Sequence, residues 1–366
     1  MVSRGRSAEH WREVARRAES LGYDVLLMPD HITDQLAPVP ALAAAAAATT
    51  TLRIGSFVFD NDYRDPVMLA KEATTLDLLS DGRLEFGIGA GWNRRDYRQL
   101  GIPYDPPKLR VDRMEEALAL IKRLWIERKV THRGAFYRIA DATVLPRPTQ
   151  RPHPPVMVGG GGPRMLRIAA REAQIVALAP AVNARGGPKL RTLTVASLAE
   201  RISRLRHVAR ARFADLELNV IVFDAQVTDA RQSLAQMIAA RLKATVTALV
   251  ESPFFLYGSR RGLVEMLLER RERAGVSYIA LPGTAMRAFA PIVAELRASE
   301  RTNPIRDGIG NARVIIRCKS SSAKSVARSS RHRLSCRITT SDYTAAARWA
   351  ACRWSATPVR PRPVVS

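Results

Sequence analysis

Residues 51–93 read TLRIGSFVFDNDYRDPVMLAKEATTLDLLSDGRLEFGIGAGWN, and the order of patterns in this stretch decides the fold. A β-branched and aromatic run at 54–59 gives way to a polar loop, then to a helical stretch from about Pro66, then to the turn SDGR. A second apolar run follows at 84–88 and leaves through GIGAGWN. Both runs are nearly continuous in hydrophobicity rather than alternating. Strands covered on both faces have that property, so the stretch is predicted to be two parallel strands joined by a crossover helix.

Working outward, the same alternation repeats. Apolar runs recur at 25–28, 156–158, 175–178, 218–223 and 278–281. Between them lie stretches with apolar residues at three- and four-residue spacing. One is Trp11, Val14, Ala15, Ala18 and Leu21, with Ser7 placed to cap its start and Gly22 just past its end. Another is Met114, Ala117, Leu118, Ile121, Leu124 and Trp125. A doubly wound sheet would satisfy this alternation, but it runs over residues 8–299 with no linker, which favours a TIM (β/α)₈ barrel. The seven strands leave such a barrel one short. The chain opens directly into a helix, so the first strand is missing from the pattern, and the one later stretch with strand propensity is ARVIIRC at 312–318. Residues 101–150 hold an extra helix and a proline-rich stretch, read as an insertion that either covers the barrel mouth or runs over the surface.

The division expected is a barrel domain over 1–299 and a basic tail over 300–366. Apolar residues make up 46% and charged residues 25%, the balance of a protein with a sizeable core. The net charge of +24 is uneven: residues 304–366 hold 13 Lys or Arg against Asp307 and Asp342. That tail lacks periodicity and reads as disordered, or as an out-of-frame translation. All three cysteines (Cys318, Cys336, Cys352) lie in it at spacings unlike zinc pairs, so neither a metal site nor a disulfide framework is expected. The start of the chain has no apolar signal segment, and no run of about 18 apolar residues occurs, so no membrane span and a cytoplasmic location are expected. The pI suggests a nucleic-acid-binding protein as an alternative of another class. It has no reading motif to support it and only 6% aromatics.

Three constellations carry chemistry. In LLMPDH, Asp30 and His31 sit at a strand exit, where barrel enzymes place catalytic groups, and histidine suits proton transfer near neutral pH. The other reading is a turn in which Asp30 caps the next element. In GIGAGWN, alternating Gly87, Gly89 and Gly91 either let a flat ring approach the backbone or make a tight strand-to-helix turn. The spacing is not a Rossmann fingerprint. In PPVMVGGGGPRML, four glycines run into a helix that starts at Pro163, a place where backbone N–H groups and a helix terminus favour phosphate. A flexible loop is the alternative there.

Taken in order, LGYD–VLLMPDH, LAKEATTLDLLSDGRLEFGIGAGW and PPVMVGGGGPRML resemble the bacterial luciferase-like oxidoreductases, above all the actinobacterial subgroup that uses the deazaflavin coenzyme F420. The resemblance covers residues 8–299. It implies hydride transfer between F420 and a small organic substrate, with an FMN-dependent monooxygenase as the alternative and a homodimer as an open possibility. It places His31 near the redox centre with Asp30 beside it, and a non-proline cis peptide near Phe57 and Val58 backing the ring. Gly89, Gly91, Trp92 and Asn93 would line the ring and its side chain; Gly160, Gly161, Gly162 and Arg164 would hold the phosphate. Arg94, Arg95, Arg164 and Arg167 would attract the oligoglutamate tail of F420. One departure stands out: the sugar-phosphate dehydrogenases of the family carry a glutamate where this chain has Trp92, which argues against that substrate.

Overall fold

The computed structural model describes residues 7–182, 188–242, 244–302 and 313–317. The strands are β1 (Val25–Met28), β2 (Arg53–Ser56), β3 (Phe59–Asp60), β4 (Leu84–Gly89), β5 (Val130–Arg133), β6 (Arg138–Ala142), β7 (Val156–Gly159), β8 (Ile175–Ala177), β9 (Glu217–Ile221), β10 (Asp224–Val227), β11 (Phe255–Gly258), β12 (Val276–Pro282) and β13 (Arg313–Arg317). The helices are α1 (Ala8–Ser20), α2 (Pro38–Ala47), α3 (Pro66–Leu79), α4 (Arg94–Leu100), α5 (Pro107–Ile126), α6 (Pro163–Glu172), α7 (Val195–Ala209), α8 (Arg231–Leu242), α9 (Val246–Val250), α10 (Arg260–Ala274) and α11 (Met286–Thr302). Local chemistry sets the helix starts. Ser7 accepts from the N–H of His10, and Asp65 caps α3 ahead of Pro66.

Eight of the strands close a ring in the order β1, β2, β4, β7, β8, β9, β12, β13 and back to β1, every pairing parallel. The fold is the expected (β/α)₈ barrel. Its closure corrects two expectations. The gap left for a first strand lies between β1 and β12, and β13 fills it, pairing Leu26 with Ile316 and Leu281 with Ile316 in one register. Five residues of the segment expected to lack order are therefore a barrel strand, and the division at 299 falls inside α11. Residues 303–312 and 318–366 of that segment, with its cysteines, lie outside the described residues.

Alternation along the strands sorts the core. Val25, Leu27, Met157, Ile175, Ala177, Tyr278 and Ala280 form one cluster with Phe57 and Val58 packed on it, the filling of the barrel. Their neighbours Leu26, Met28, Val158, Val176, Ile279 and Leu281 join the helices in the outer core. At the strand N-terminal end, fully buried Glu85 accepts from Arg53 Nε (2.9 Å) and from the Tyr278 hydroxyl (2.8 Å). A buried charge is tolerated only with partners of this kind.

The insertion divides in two. β5 and β6 form an antiparallel hairpin whose turn is held by Glu116 of α5, which accepts from the N–H groups of Ala135 (3.1 Å) and Tyr137 (3.0 Å). The Tyr137 hydroxyl accepts from Asn61 Nδ2 at 3.1 Å, so the hairpin tip reaches the strand C-terminal rim. The proline-rich stretch goes the other way. Gln150 Nε2 donates to Asp77 Oδ1 (2.6 Å) and to the carbonyl of Leu84, where β4 begins. Proline cannot supply ladder donors, and here it returns the chain to the barrel floor rather than over the mouth. β10 and β11 form a small parallel sheet that the pattern did not anticipate. Among the described residues no helix is long and apolar enough to cross a membrane.

Candidate active site

β1 leaves the barrel through Pro29, Asp30 and His31. His31 Nδ1 lies 2.7 Å from Oδ2 of Asp96, and its ring meets Trp92 edge-on at 5.3 Å and 86°. The imidazole keeps 18% of its side-chain surface in solvent, whereas Asp96 keeps none. The sequence after β4 explains the arrangement. Asn93 is the N-cap of α4, accepting from Arg95 N, and its Nδ2 reaches Asp96 Oδ2 three residues on at 2.9 Å. Asn93 thus caps the helix with its amide oxygen and holds Asp96 with its amide nitrogen, while Asp96 also serves another element. Trp92 is pinned through its carbonyl, which accepts from the Tyr104 hydroxyl at 3.1 Å. Arg110, nearly buried, ties the same turn down by donating to the carbonyls of Ala90 (2.6 Å) and Gly91 while its guanidinium stacks 4.3 Å from the Tyr104 ring. The structure thus places His31, Trp92 and Asn93 around one carboxylate. It adds Asp96, Tyr104 and Arg110, for which the NRRD spacing was the only sequence signal, and only for Asp96.

Asp30 does not join them, and its expected catalytic role is corrected. Arg64 donates to both its oxygens (2.5 and 3.3 Å), and the N–H of Asp60 donates to Oδ2 at 3.1 Å. A buried carboxylate engaged by a guanidinium fork and a backbone donor is an anchor between β1 and β3. Beside it, Asp60 accepts from Asp62 N (3.0 Å) and from the Tyr97 hydroxyl (3.1 Å). Burial, and then the Asp62 and Asp30 charges, push its carboxyl up to about 7. The Tyr97 hydroxyl, with one proton to give, also lies 2.9 Å from Asp62 Oδ2, and Arg113 pairs with Asp62 at 2.8 Å.

The bulge between β2 and β3 carries a cis peptide at Phe57–Val58, the position implied by the resemblance. The glycines around it do a different job from the one expected. A Cβ on Gly89 would lie 2.7 Å from Val58 Cγ2; one on Gly87 would lie 2.1 Å from the Ser56 carbonyl and 2.9 Å from Val58 Cγ1. Gly159 is similarly close to both Val58 methyls. The alternating glycines therefore make a trough for Val58, and Val58 and Phe57 present the apolar ledge. Gly91, at φ +69°, turns the chain: a Cβ there would meet the Tyr97 hydroxyl and the Asp60 carboxylate, so it lines no open space.

The glycine run after β7 also divides. Gly160, at φ +155°, spends its N–H on the Ala177 carbonyl (3.0 Å). Gly161 approaches the Ala179 carbonyl so closely that a Cβ would sit 2.2 Å from it. Gly162 faces open space and caps α6, whose first N–H groups have no intrahelical acceptor. Arg164 is corrected as a phosphate ligand: its guanidinium pairs with Asp112 and with Glu115 (3.0 Å), both on α5. A cavity of about 270 Å³ lies elsewhere, among Thr228, Asp229, Arg231, Tyr257, Ser259 and Met266, and none of the residues above lines it.

A closed parallel barrel with a histidine–aspartate pair, an apolar cis-peptide ledge and a glycine-capped helix start on its C-terminal rim belongs to the class of (β/α)₈ proteins that bind ligands at that rim. More narrowly, the sequence model of the luciferase-like monooxygenases matches residues 1–248, and the chain belongs to that family. It is 37% identical over 165 residues to an F420-dependent glucose-6-phosphate dehydrogenase of Intrasporangium calvum, covering 42% of this chain and 49% of that protein. It is 30% identical over 166 residues to an FMNH(2)-dependent dimethylsulfone monooxygenase of Pseudomonas putida, covering 44% and 46%. The chain thus spans about half the length of the curated relatives it matches. Among solved structures, monooxygenase RslO1 of Streptomyces bottropensis superposes with a TM-score of 0.63 at 25% identity, over 79% of this chain and 94% of that one. The coenzyme F420 dependent tetrahydromethanopterin reductase of Methanopyrus kandleri gives 0.64 at 16%, over 79% and 95%, a likeness of fold.

Proposed function

We propose that this chain is an F420-dependent oxidoreductase that exchanges a hydride between the deazaflavin and a small organic substrate. The observation that carries the reading is His31, partly exposed on the rim and backed by buried Asp96, on the same face as the Phe57–Val58 ledge. The ledge suits one face of a flat ring, and the Gly161–Gly162 start of α6 suits its phosphate. The bound deazaflavin would supply the hydride chemistry at C5. His31 would hold or move the accompanying proton, Trp92 would wall the substrate side, and the rim would exclude water. Trp92 beside His31 also points away from a sugar phosphate as the substrate.

The alternative, an FMN-dependent monooxygenase, has support in the relatives of that kind. FMN would use the same ledge and helix start. Exposed Arg94, Arg95 and Arg167 tip the choice to F420, whose oligoglutamate tail they would attract, although Arg164 no longer contributes. Assembly as a homodimer belongs to the same proposal and is read by light scattering. Side-by-side fluorescence titrations at moderate salt should find F420 bound more tightly than FMN; tighter FMN, or indifference to tail length, would transfer the reading to the monooxygenase. His31→Ala should then lower turnover by about 10²–10⁴ with little change in cofactor affinity. Normal turnover in that variant would make His31 a structural residue.

A further inference from the structure

Asp96 is engaged on one side only. Its Oδ2 takes both the Asn93 amide (2.9 Å) and the His31 ring nitrogen (2.7 Å), while Oδ1 is buried with no hydrogen-bond partner among the described residues. A carboxyl oxygen left bare in the interior is costly, and packing alone gives no reason for it. A cation beside the carboxylate would offset that cost, and the group in place to become one is His31.

We propose that Asp96 is the positioning residue of this site: it accepts the Nδ1 proton of His31 and so fixes the tautomer that leaves Nε2 bare as the proton-accepting nitrogen. The proposal rests on the reading of His31 as the proton-handling group. For an alcohol substrate the balance is complete. The carbon-bound hydrogen leaves with its electron pair to the deazaflavin, the hydroxyl proton goes to His31 Nε2, and the carbon–oxygen bond becomes a carbonyl. His31 then carries two protons, with the Asp96 carboxylate 2.7 Å from Nδ1 to stabilise the imidazolium. In the reverse direction the same nitrogen returns the proton. Asn93 holds the carboxylate from the other side, so the glycine-turn sequence GWNRRD delivers both the substrate wall and the orienting acid.

The test is histidine side-chain nitrogen NMR on the full chain, unliganded, with the His31 signal assigned by its loss in His31→Gln. Neutral His31 should carry its proton on Nδ1, with the shift of an unprotonated nitrogen at Nε2. In Asp96→Asn the two tautomers should mix, and turnover with F420 should fall by about 10²-fold while cofactor affinity stays within about twofold. Asp96→Glu, which keeps a carboxylate, should recover part of both signals. A proton on Nε2 in the wild-type protein overturns the proposal, and so does an unchanged tautomer in Asp96→Asn. If that variant fails to fold, the wild-type spectrum decides alone. Failure of F420 to bind would remove the functional reading and leave the tautomer result standing.

Discussion

At the scale of single residues, the acids behind the rim are divided by their partners rather than by their position. Asp30 and Asp62 each face a guanidinium, from Arg64 and Arg113, whereas Asp60 has a backbone N–H and a phenol but no cation of its own. Its carboxyl is accordingly raised from 3.8 to about 7. The folded protein therefore binds a proton that the unfolded chain releases, and stability must fall as pH rises from about 4 through 7 and level off above. The shift corresponds to about 4 kcal/mol at most. Asp60→Asn keeps an acceptor for the Tyr97 hydroxyl and cannot ionise, so it should gain stability relative to the wild type across that window. Urea midpoints of both proteins at pH 4.5 and 7.5 check this; parallel pH profiles would show that Asp60 stays ionised in the fold. Asp60 was not legible in the sequence, because what sets it apart is the lack of a neighbour that residue spacing does not report.

Among the elements, β4 shows how one pattern admits two physical meanings. Alternating glycines at a strand exit fit either a ring lying on the backbone or a second chain segment lying there, and the structure has the second: the Val58 methyls fill the space left by Gly87, Gly89 and Gly159. Gly89→Ala should consequently cost about 1–3 kcal/mol through overpacking, since a Cβ 2.7 Å from Val58 Cγ2 forces the bulge to move. Adding Val58→Ala should relieve part of that loss, and a double-mutant cycle on thermal or urea unfolding measures it. Strict additivity would mean that the two residues do not meet. The element that the sequence described best is β1, whose bounds 25–28 match the fully buried run, because four consecutive apolar residues between polar turns allow little else. The hairpin of β5 and β6 was harder to see, since its strands are largely exposed and carry mixed polarity.

For the whole molecule, the decisive contact joins the two ends of the described chain. β13 makes five register pairs with β12 and two with β1, and without it both strands present open edges on a barrel that has none. A chain ending at Thr302 should lose on the order of 3–5 kcal/mol from ladder hydrogen bonds alone, at about 1 kcal/mol each. Its melting temperature should drop by several degrees, with a gain in aggregation that light scattering can follow. Unchanged melting would mean that β13 does not close the barrel. The charge of +24 has less to do with the site than its size suggests. Arginines counted as a cationic rim are partly consumed within the fold, Arg164 by Asp112 and Glu115, and Arg171 by Glu115 and Glu172.

The sequence by itself determined the class of fold, because strands covered on both faces must be continuously apolar and helices between them must repeat every three or four residues. It also determined where the chain turns at the rim, since an N-cap asparagine and proline or glycine at helix starts act locally. Tertiary structure alone decided three things. It brought Asp96 to His31, 65 residues away, and Arg64 to Asp30. It gave the glycine trough to Val58. It selected Arg313–Arg317 to close the barrel between β1 and β12. Each of these depends on which surfaces meet once the ring is shut, and a pattern of neighbours along the chain carries no record of that.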